Sequence, residues 1–379
     1  MGAPELDDRL DQQVEAAATF TKLLQSFPNS PLVPEAKLRL GTSLVAQKRH
    51  AEAEPYFVQA AAVANFALAD VATLKQAQAL FDQNKFPEAA AIFETIPTKF
   101  PKSDQIGPAW TGAGKSRFKA AQLPQAQTAL TNCVNQKLPT APEAAYWLGR
   151  TLIALKQPAA VIAAVDPVIA ANAQSEFIPA LQLVRIDSIY EIPERRKETI
   201  ALYAQFAGQF AANELAPEAK YRAALAALQV ADFPNAQAHA EQFFATAPFA
   251  KHPLVPEVVF VGAEAYLLNQ PEANLAKAEP LFRRLVTEFP MNAHVPQAQV
   301  RIGLCLYSAG VVTNQPPKFE ECIAYLNSIV ANLKDPALIA EARYLIGRAH
   351  GEADGQRHRR GHPHPAQEGR GQARRPHPD

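Results

Sequence analysis

The sequence predicts an all-α protein, a right-handed α-solenoid of stacked helix–turn–helix units. Three observations carry this. Alanine occupies 73 of 379 positions, and alanine is the best helix former. There are 32 prolines against 16 glycines. Proline is tolerated in a helix's first turn and not in its interior, so abundant alanine with abundant proline reads as many short helices that start and stop. The prolines also recur in fixed company, with steps of about 34 to about 40 residues between successive first-helix starts, the length of a helix pair.

The punctuation has three marks. Pro-polar-Ala opens a first helix at Pro34, Pro142, Pro217 and Pro296. An aromatic or Leu, then Pro-polar-Ala, opens a second helix at Phe86, Leu123 and Phe233. Phe-Pro closes the unit at Phe27-Pro28, Phe100-Pro101 and Phe289-Pro290. Between the marks, a small residue sits in the first helix at Gly41, Gly149 and Gly303 and lets its neighbour approach. Ala53, Ala89 and Ala236 do the same from the second helix, and Phe57, Phe93 and Phe282 fill the gap between units. One helix pair cannot bury its apolar face alone, so the units stack into one continuous core.

The elements follow in order. From Pro34 come Leu40, Gly41, Leu44, Ala53, Phe57 and Ala60, with Asn65 in place of a closing proline. The next unit has Ala77, Leu80, Ala89, Phe93, Ile96 and Pro101. From Pro142, Leu148, Gly149 and Leu152 fit, while Val161, Val165 and Val168 replace the small and aromatic residues. From Pro217 come Ala224, Ala227, Ala236, Phe243 and Pro248, with Ala240 where a ring belongs. From Pro256 the pattern resumes, after a three-residue insertion, at Ala278, Phe282, Leu285 and Pro290. From Pro296 come Ile302, Gly303 and Leu306, then a longer turn, then Cys322, Leu326 and Ile329. About eight helix pairs result.

These residues at this spacing resemble the tetratricopeptide repeat over roughly residues 11 to 350. The linkers Phe27-Pro-Asn-Ser-Pro and Phe100-Pro-Lys-Ser-Asp are similar to those of bacterial envelope repeat proteins, of the Tol-Pal coordinator and outer-membrane-assembly lipoprotein type. The resemblance implies a protein-binding scaffold without catalytic residues or cofactor.

Both ends read as cut through a repeat. Ala16, Phe20, Leu23 and Pro28 match a second helix whose partner would begin before residue 1. Ala340 to His350 is a first helix lacking its second. The solenoid is therefore placed at residues 1–350. The remaining 29 residues hold six Arg, four His, four Pro and five Gly, with no apolar side chain larger than alanine. Such a tail buries nothing and is expected to be disordered. Three readings of it stay open: translation out of frame, a basic tail through residues such as Arg357 and Arg374, and a metal-binding tail through His358, His362 and His364.

Several classes are excluded or disfavoured. Net charge is +0, and the tail supplies a surplus of basic residues, leaving the solenoid slightly acidic. Dedicated nucleic-acid binders carry basic excess. No apolar run approaches the roughly 18 residues that span a bilayer. Cys133, Cys305 and Cys322 form no CxxC and fall at apolar helical positions, so they read as buried small hydrophobes. Ala109 to Ser116 imitates a phosphate-binding loop but lacks its first glycine and preceding strand, and reads as helix. His239, His252 and His294 read as solvated surface residues, and no nucleophile, base and orienter assemble. No metal site or cofactor site is expected.

The binding surface of such a stack is the concave face lined by first helices. One position per unit, after the small residue, faces inward: Thr42, Gln78, Lys115, Arg150, Asp187, Leu225, Glu264, Leu304 and Arg348. Of these, Gln78, Lys115, Arg150, Asp187 and Glu264 are the candidate partner-binding residues. Lys115 and Arg150 form a basic pair suited to the carboxylates of an extended partner peptide. Three functional classes follow: a protein-interaction scaffold, a bacterial envelope assembly factor (periplasmic or lipid-anchored), or the helical part of a larger protein.

Overall fold

The computed structural model describes residues 3–361. Among the described residues there are eighteen α-helices and no strand: α1 Ala3–Ser26, α2 Val33–Ala46, α3 His50–Ala61, α4 Ala69–Asp82, α5 Phe86–Lys99, α6 Ile106–Lys119, α7 Leu123–Asn135, α8 Ala141–Ala154, α9 Pro158–Ala171, α10 Ile178–Tyr190, α11 Glu198–Gln209, α12 Ala216–Gln229, α13 Phe233–Ala245, α14 Val255–Leu268, α15 Pro271–Glu288, α16 Val295–Thr313, α17 Pro316–Val330 and α18 Pro336–Gly361. Two 3₁₀ turns, Pro193–Arg195 and Ala247–Lys251, precede α11 and α14. Between α1 and α18 lie the eight helix pairs, α2/α3 to α16/α17. The chain divides into two compact units, Met1–Ala219 and Lys220–Asp379. Each is an α-solenoid in which successive helices pack on one another.

Proline sits at the first turn of α2, α5, α7, α8, α9, α10, α14, α15, α16 and α17. Its missing N–H is an orphan there in any case. A side-chain cap appears at Asp232, whose carboxylate accepts from the Asn235 backbone N–H. The Phe-Pro marks end α1, α5 and α15, each helix stopping one residue before the phenylalanine. Four prolines depart from the sequence expectation: Pro55, Pro97, Pro167 and Pro280 lie inside α3, α5, α9 and α15. Packing on both flanks holds these helices through the lost hydrogen bond.

The turns from first to second helix explain the scarcity of glycine. Lys48, Asn84, Ala121, Lys156, Ala231, Gln270 and Asn314 occupy the left-handed region with φ between 49° and 61°, and no described glycine does. Glycine instead marks helix contacts. A Cβ on Gly41 would stand 2.6 Å from the Phe57 ring, and one on Gly114 or Gly303 would stand 2.3 Å from a carbon of Leu130 or Leu326. The core of residues 1–219 runs through Leu40, Leu44 and Phe57, then Leu80, Phe93 and Ile96, then Leu130, Leu148, Val161 and Val165. In residues 220–379, Phe243, Val258, Phe282, Leu285, Ile302, Phe319 and Leu326 are buried.

In residues 1–219 the first helices also touch one another: α2 with α4, α4 with α6, α6 with α8, and α8 with α10. Among the described residues the second helices α3, α5, α7 and α9 make no contact of that extent with each other. The first helices therefore form the more crowded layer.

One expectation needs correction. The residues beyond Leu306 do not form a longer turn; they extend α16 to 19 residues. The expected three-residue insertion before Ala278 falls in α15, which has 18 residues. Beyond residue 350, α18 continues to Gly361, with Ala353 buried. Of the tail residues named as basic or metal-binding, His362, His364 and Arg374 lie outside the described residues.

Candidate functional site

The first helices α4, α6 and α8 enclose a cavity of about 320 Å³, lined in part by Gln78, Asp82, Thr111, Lys115, Thr140 and Glu143. Gln78 and Lys115 come from the series expected to face a partner, and the structure brings them together. Lys115 is not a free cation. Its Nζ lies 2.7 Å from Glu143 Oε1 on the next first helix and 5.8 Å from the centre of the Trp147 ring.

Arg150 is exposed and pairs with no carboxylate among the described residues. Its guanidinium lies over three rings: Trp147 at 5.3 Å, Phe118 at 5.5 Å and Tyr146 at 5.9 Å. Phe118 and Tyr146 each meet Trp147 edge to face. Phe118 comes from α6, while Tyr146 precedes Arg150 by one helical turn, which places both on one face of α8. The rings hold the guanidinium, one N–H of which donates to the Tyr146 hydroxyl at 3.4 Å, and its remaining donors suit a carboxylate arriving in its plane.

The other candidates are engaged elsewhere. Asp187, half-buried on α10, accepts a hydrogen bond from the Tyr203 hydroxyl at 2.7 Å. Glu264 is 6% exposed. It is buried on α14 with its carboxylate 2.8 Å from Arg301 Nε, and Arg301 also binds Glu341. Burial pushes the Glu264 carboxyl above its ordinary range, against the pull of Arg301. Burial alone would lower the Arg301 guanidinium, but the two carboxylates raise it. Thr42 is exposed and donates to the Leu38 carbonyl.

The Arg150 arrangement recurs in the second unit. The sequence Glu-Ala-x-Tyr-x-x-Gly-Arg occupies 143–150 and 341–348. In both, the glutamate pairs with a base of the preceding first helix, Lys115 or Arg301. In both, the arginine lies over the tyrosine one turn earlier and over a ring of that preceding helix: Arg348 stands 4.9 Å from Tyr307 and 5.9 Å from Tyr344. The rings were missed by reasoning one position per repeat. The signal was present in the tyrosine four residues before each arginine.

The histidines are less exposed than expected. His294 stacks on Phe260 at 4.2 Å, His252 accepts from the Leu254 N–H, and half-buried His239 is pushed below its ordinary range by burial and by Lys220. Residues 109–116 lie within α6, as the helical reading requires. The three cysteines are buried and unpaired. Among the described residues no group of three or more His, Cys, Asp or Glu is placed to hold a metal ion, and no helix is long and apolar enough to cross a membrane.

Two tetratricopeptide-repeat family models match the chain, at residues 15–69 and 72–103. Residues 15–103 are thus similar to tetratricopeptide repeats. No curated protein matches it. Among solved structures, the apo form of RapI superposes with a TM-score of 0.52 at 11% identity, covering 86% of this chain and 98% of that one. The C-terminal part of a TPR repeat-containing protein from Cytophaga hutchinsonii gives a TM-score of 0.46 at 13% identity, covering 78% and 98%. A tetratricopeptide repeat protein from Parabacteroides merdae gives 0.41 at 13%, covering 83% and 98%. At these identities the similarity concerns the fold.

Proposed function

We propose that the chain is a non-catalytic protein-interaction scaffold that takes an extended, acidic segment of a partner protein on the first-helix face of α4, α6 and α8. The observation that carries the reading is the exposed, carboxylate-free Arg150 guanidinium held on Trp147, Phe118 and Tyr146. The Trp147 ring centre also lies 5.8 Å from Lys115 Nζ, and Lys115 lines the cavity together with the polar rim groups Gln78 and Thr140. A partner carboxylate pairs with Arg150, and the polar rim takes the peptide backbone. Lys115, neutralised by Glu143, contributes position rather than net charge. Crowding of the first helices into one layer supports a continuous binding face along them. An envelope address rests only on the Phe-Pro-Asn-Ser-Pro type of linker.

The test is peptide display against the intact chain, followed by binding of the selected peptides to Arg150→Glu and to a control, Arg39→Glu, whose exposed guanidinium already pairs with Glu35. Loss of one fully engaged charged hydrogen-bonding anchor weakens binding by about tenfold or more. Selected peptides should be acidic, and Arg150→Glu should lose them while Arg39→Glu keeps them. Equal binding by Arg150→Glu removes the reading.

A further inference from the structure

The opposite layer of the first unit holds a second cavity. It lies between the second helices α7 and α9, over the floor provided by α8, and measures about 620 Å³. That is within the range of small-molecule sites, roughly 300–1,000 Å³. The walls and floor are aliphatic: Val134 and Leu138 from the α7 end, Leu148 and Leu152 from α8, Pro167 and Val168 from α9.

The lining has one charge. Lys137, at the left-handed turn that ends α7, is exposed and pairs with no carboxylate among the described residues. No acidic side chain and no aromatic ring lines the cavity; the other polar groups are amides and a hydroxyl. Cores of protein interfaces are enriched in rings, Met and Arg, so this lining does not suit a protein partner. Along α9 the cavity extends from Ala160 to Asn172, about 18 Å at 1.5 Å per residue, a slot longer than a compact ring needs.

We infer that this cavity binds a free single-chain carboxylate amphiphile. The alkyl chain lies over α8 between α7 and α9, removing its methylenes and the leucine floor from water. The carboxylate sits at the end of the slot against Lys137. This site is independent of the peptide face on α4, α6 and α8.

The test is calorimetric titration of the intact chain with dodecanoate and, separately, with dodecanol. Ala163→Trp projects a ring into the cavity from an exposed position on α9, and Ala163→Leu fills it less, should the larger residue disturb folding. Lys137→Gln removes the charge and keeps the length. Dodecanoate should bind the wild type with a micromolar Kd and lose about tenfold or more in whichever Ala163 variant retains the wild-type melting curve. Lys137→Gln should weaken dodecanoate several-fold and leave dodecanol unchanged. The inference falls if dodecanoate fails to bind by about 1 mM, if the cavity-filling variants bind as the wild type does, or if Lys137→Gln affects acid and alcohol alike. It also falls if sedimentation shows a dimer that Ala163→Trp dissolves and dodecanoate does not displace, because the occupant is then a second copy of the chain.

Discussion

Gly114→Ala separates packing from helix propensity. Alanine is favoured over glycine in a helix interior by about 1 kcal/mol, so propensity alone makes the substitution stabilising. The structure reverses the sign. A Cβ at residue 114 would meet three carbons of Leu130 at 2.3, 2.4 and 3.0 Å, and Leu130 is fully buried, with no solvent into which to swing. Overpacking of this kind costs typically 1–3 kcal/mol. The net expectation is a loss of about 0–2 kcal/mol, read as a lower urea midpoint with an unchanged slope. Gly347→Ala provides the control. It lies in the interior of α18 with nothing within 4 Å of the added Cβ, so it should gain about 0.5–1 kcal/mol. In the Leu130→Ala background, Gly114→Ala should become neutral or stabilising, since the clashing carbons are gone. A single Gly114→Ala variant more stable than the wild type would refute the close-contact reasoning.

Other outcomes follow from the same reading. Arg301→Met strands the buried Glu264 carboxylate and should cost about 3–5 kcal/mol near neutral pH. The folded-state pKa of Glu264 is raised, so its stabilising contribution is present below the unfolded-state value and lost as pH rises through the folded one. The deficit of Arg301→Met should therefore narrow as the pH falls toward the carboxylate range, which melting curves across that range would show. Burial pushes the Cys305 thiol to about 12 and the Cys322 thiol to about 11. The native chain should react with a thiol reagent at neutral pH only as fast as it opens, and rapid native labelling would contradict this. Ala121→Gly places glycine at φ 58°, relieving a left-handed strain of about 1–2 kcal/mol against glycine's entropic cost of about 0.5–1. Its melting temperature should rise slightly.

Much of the fold was legible because the contacts are short in sequence. Gly41 meets Phe57 and Gly303 meets Leu326 across one turn, so a period and a small residue suffice to place them. Helix length was less legible. Nothing in the letters from Ser308 to Thr313 distinguishes a long turn from an extended α16; the neighbours decide. The same holds for residues 351–361, whose polar composition reads as coil while α18 continues through them. Of the candidate residues, Gln78 and Lys115 were placed on neighbouring first helices by register, and both line one cavity. Their partners were not, because Glu143 reaches Lys115 only once α6 and α8 lie side by side. The burial of Glu264 was not legible for the same reason: the base that neutralises it is 37 positions away on α16.

The Arg301 bridge has a dynamic consequence. A stack whose parts hold only their neighbours can fray from its end at little cost. Here one guanidinium on α16 binds Glu264 on α14 and Glu341 on α18. If α18 peels away, Arg301 loses one carboxylate; if α16 follows, Glu264 is left charged and buried. The three first helices are thus coupled in opening. Their slowest amides should exchange with solvent as one group, and Arg301→Met should let α18 exchange ahead of α14.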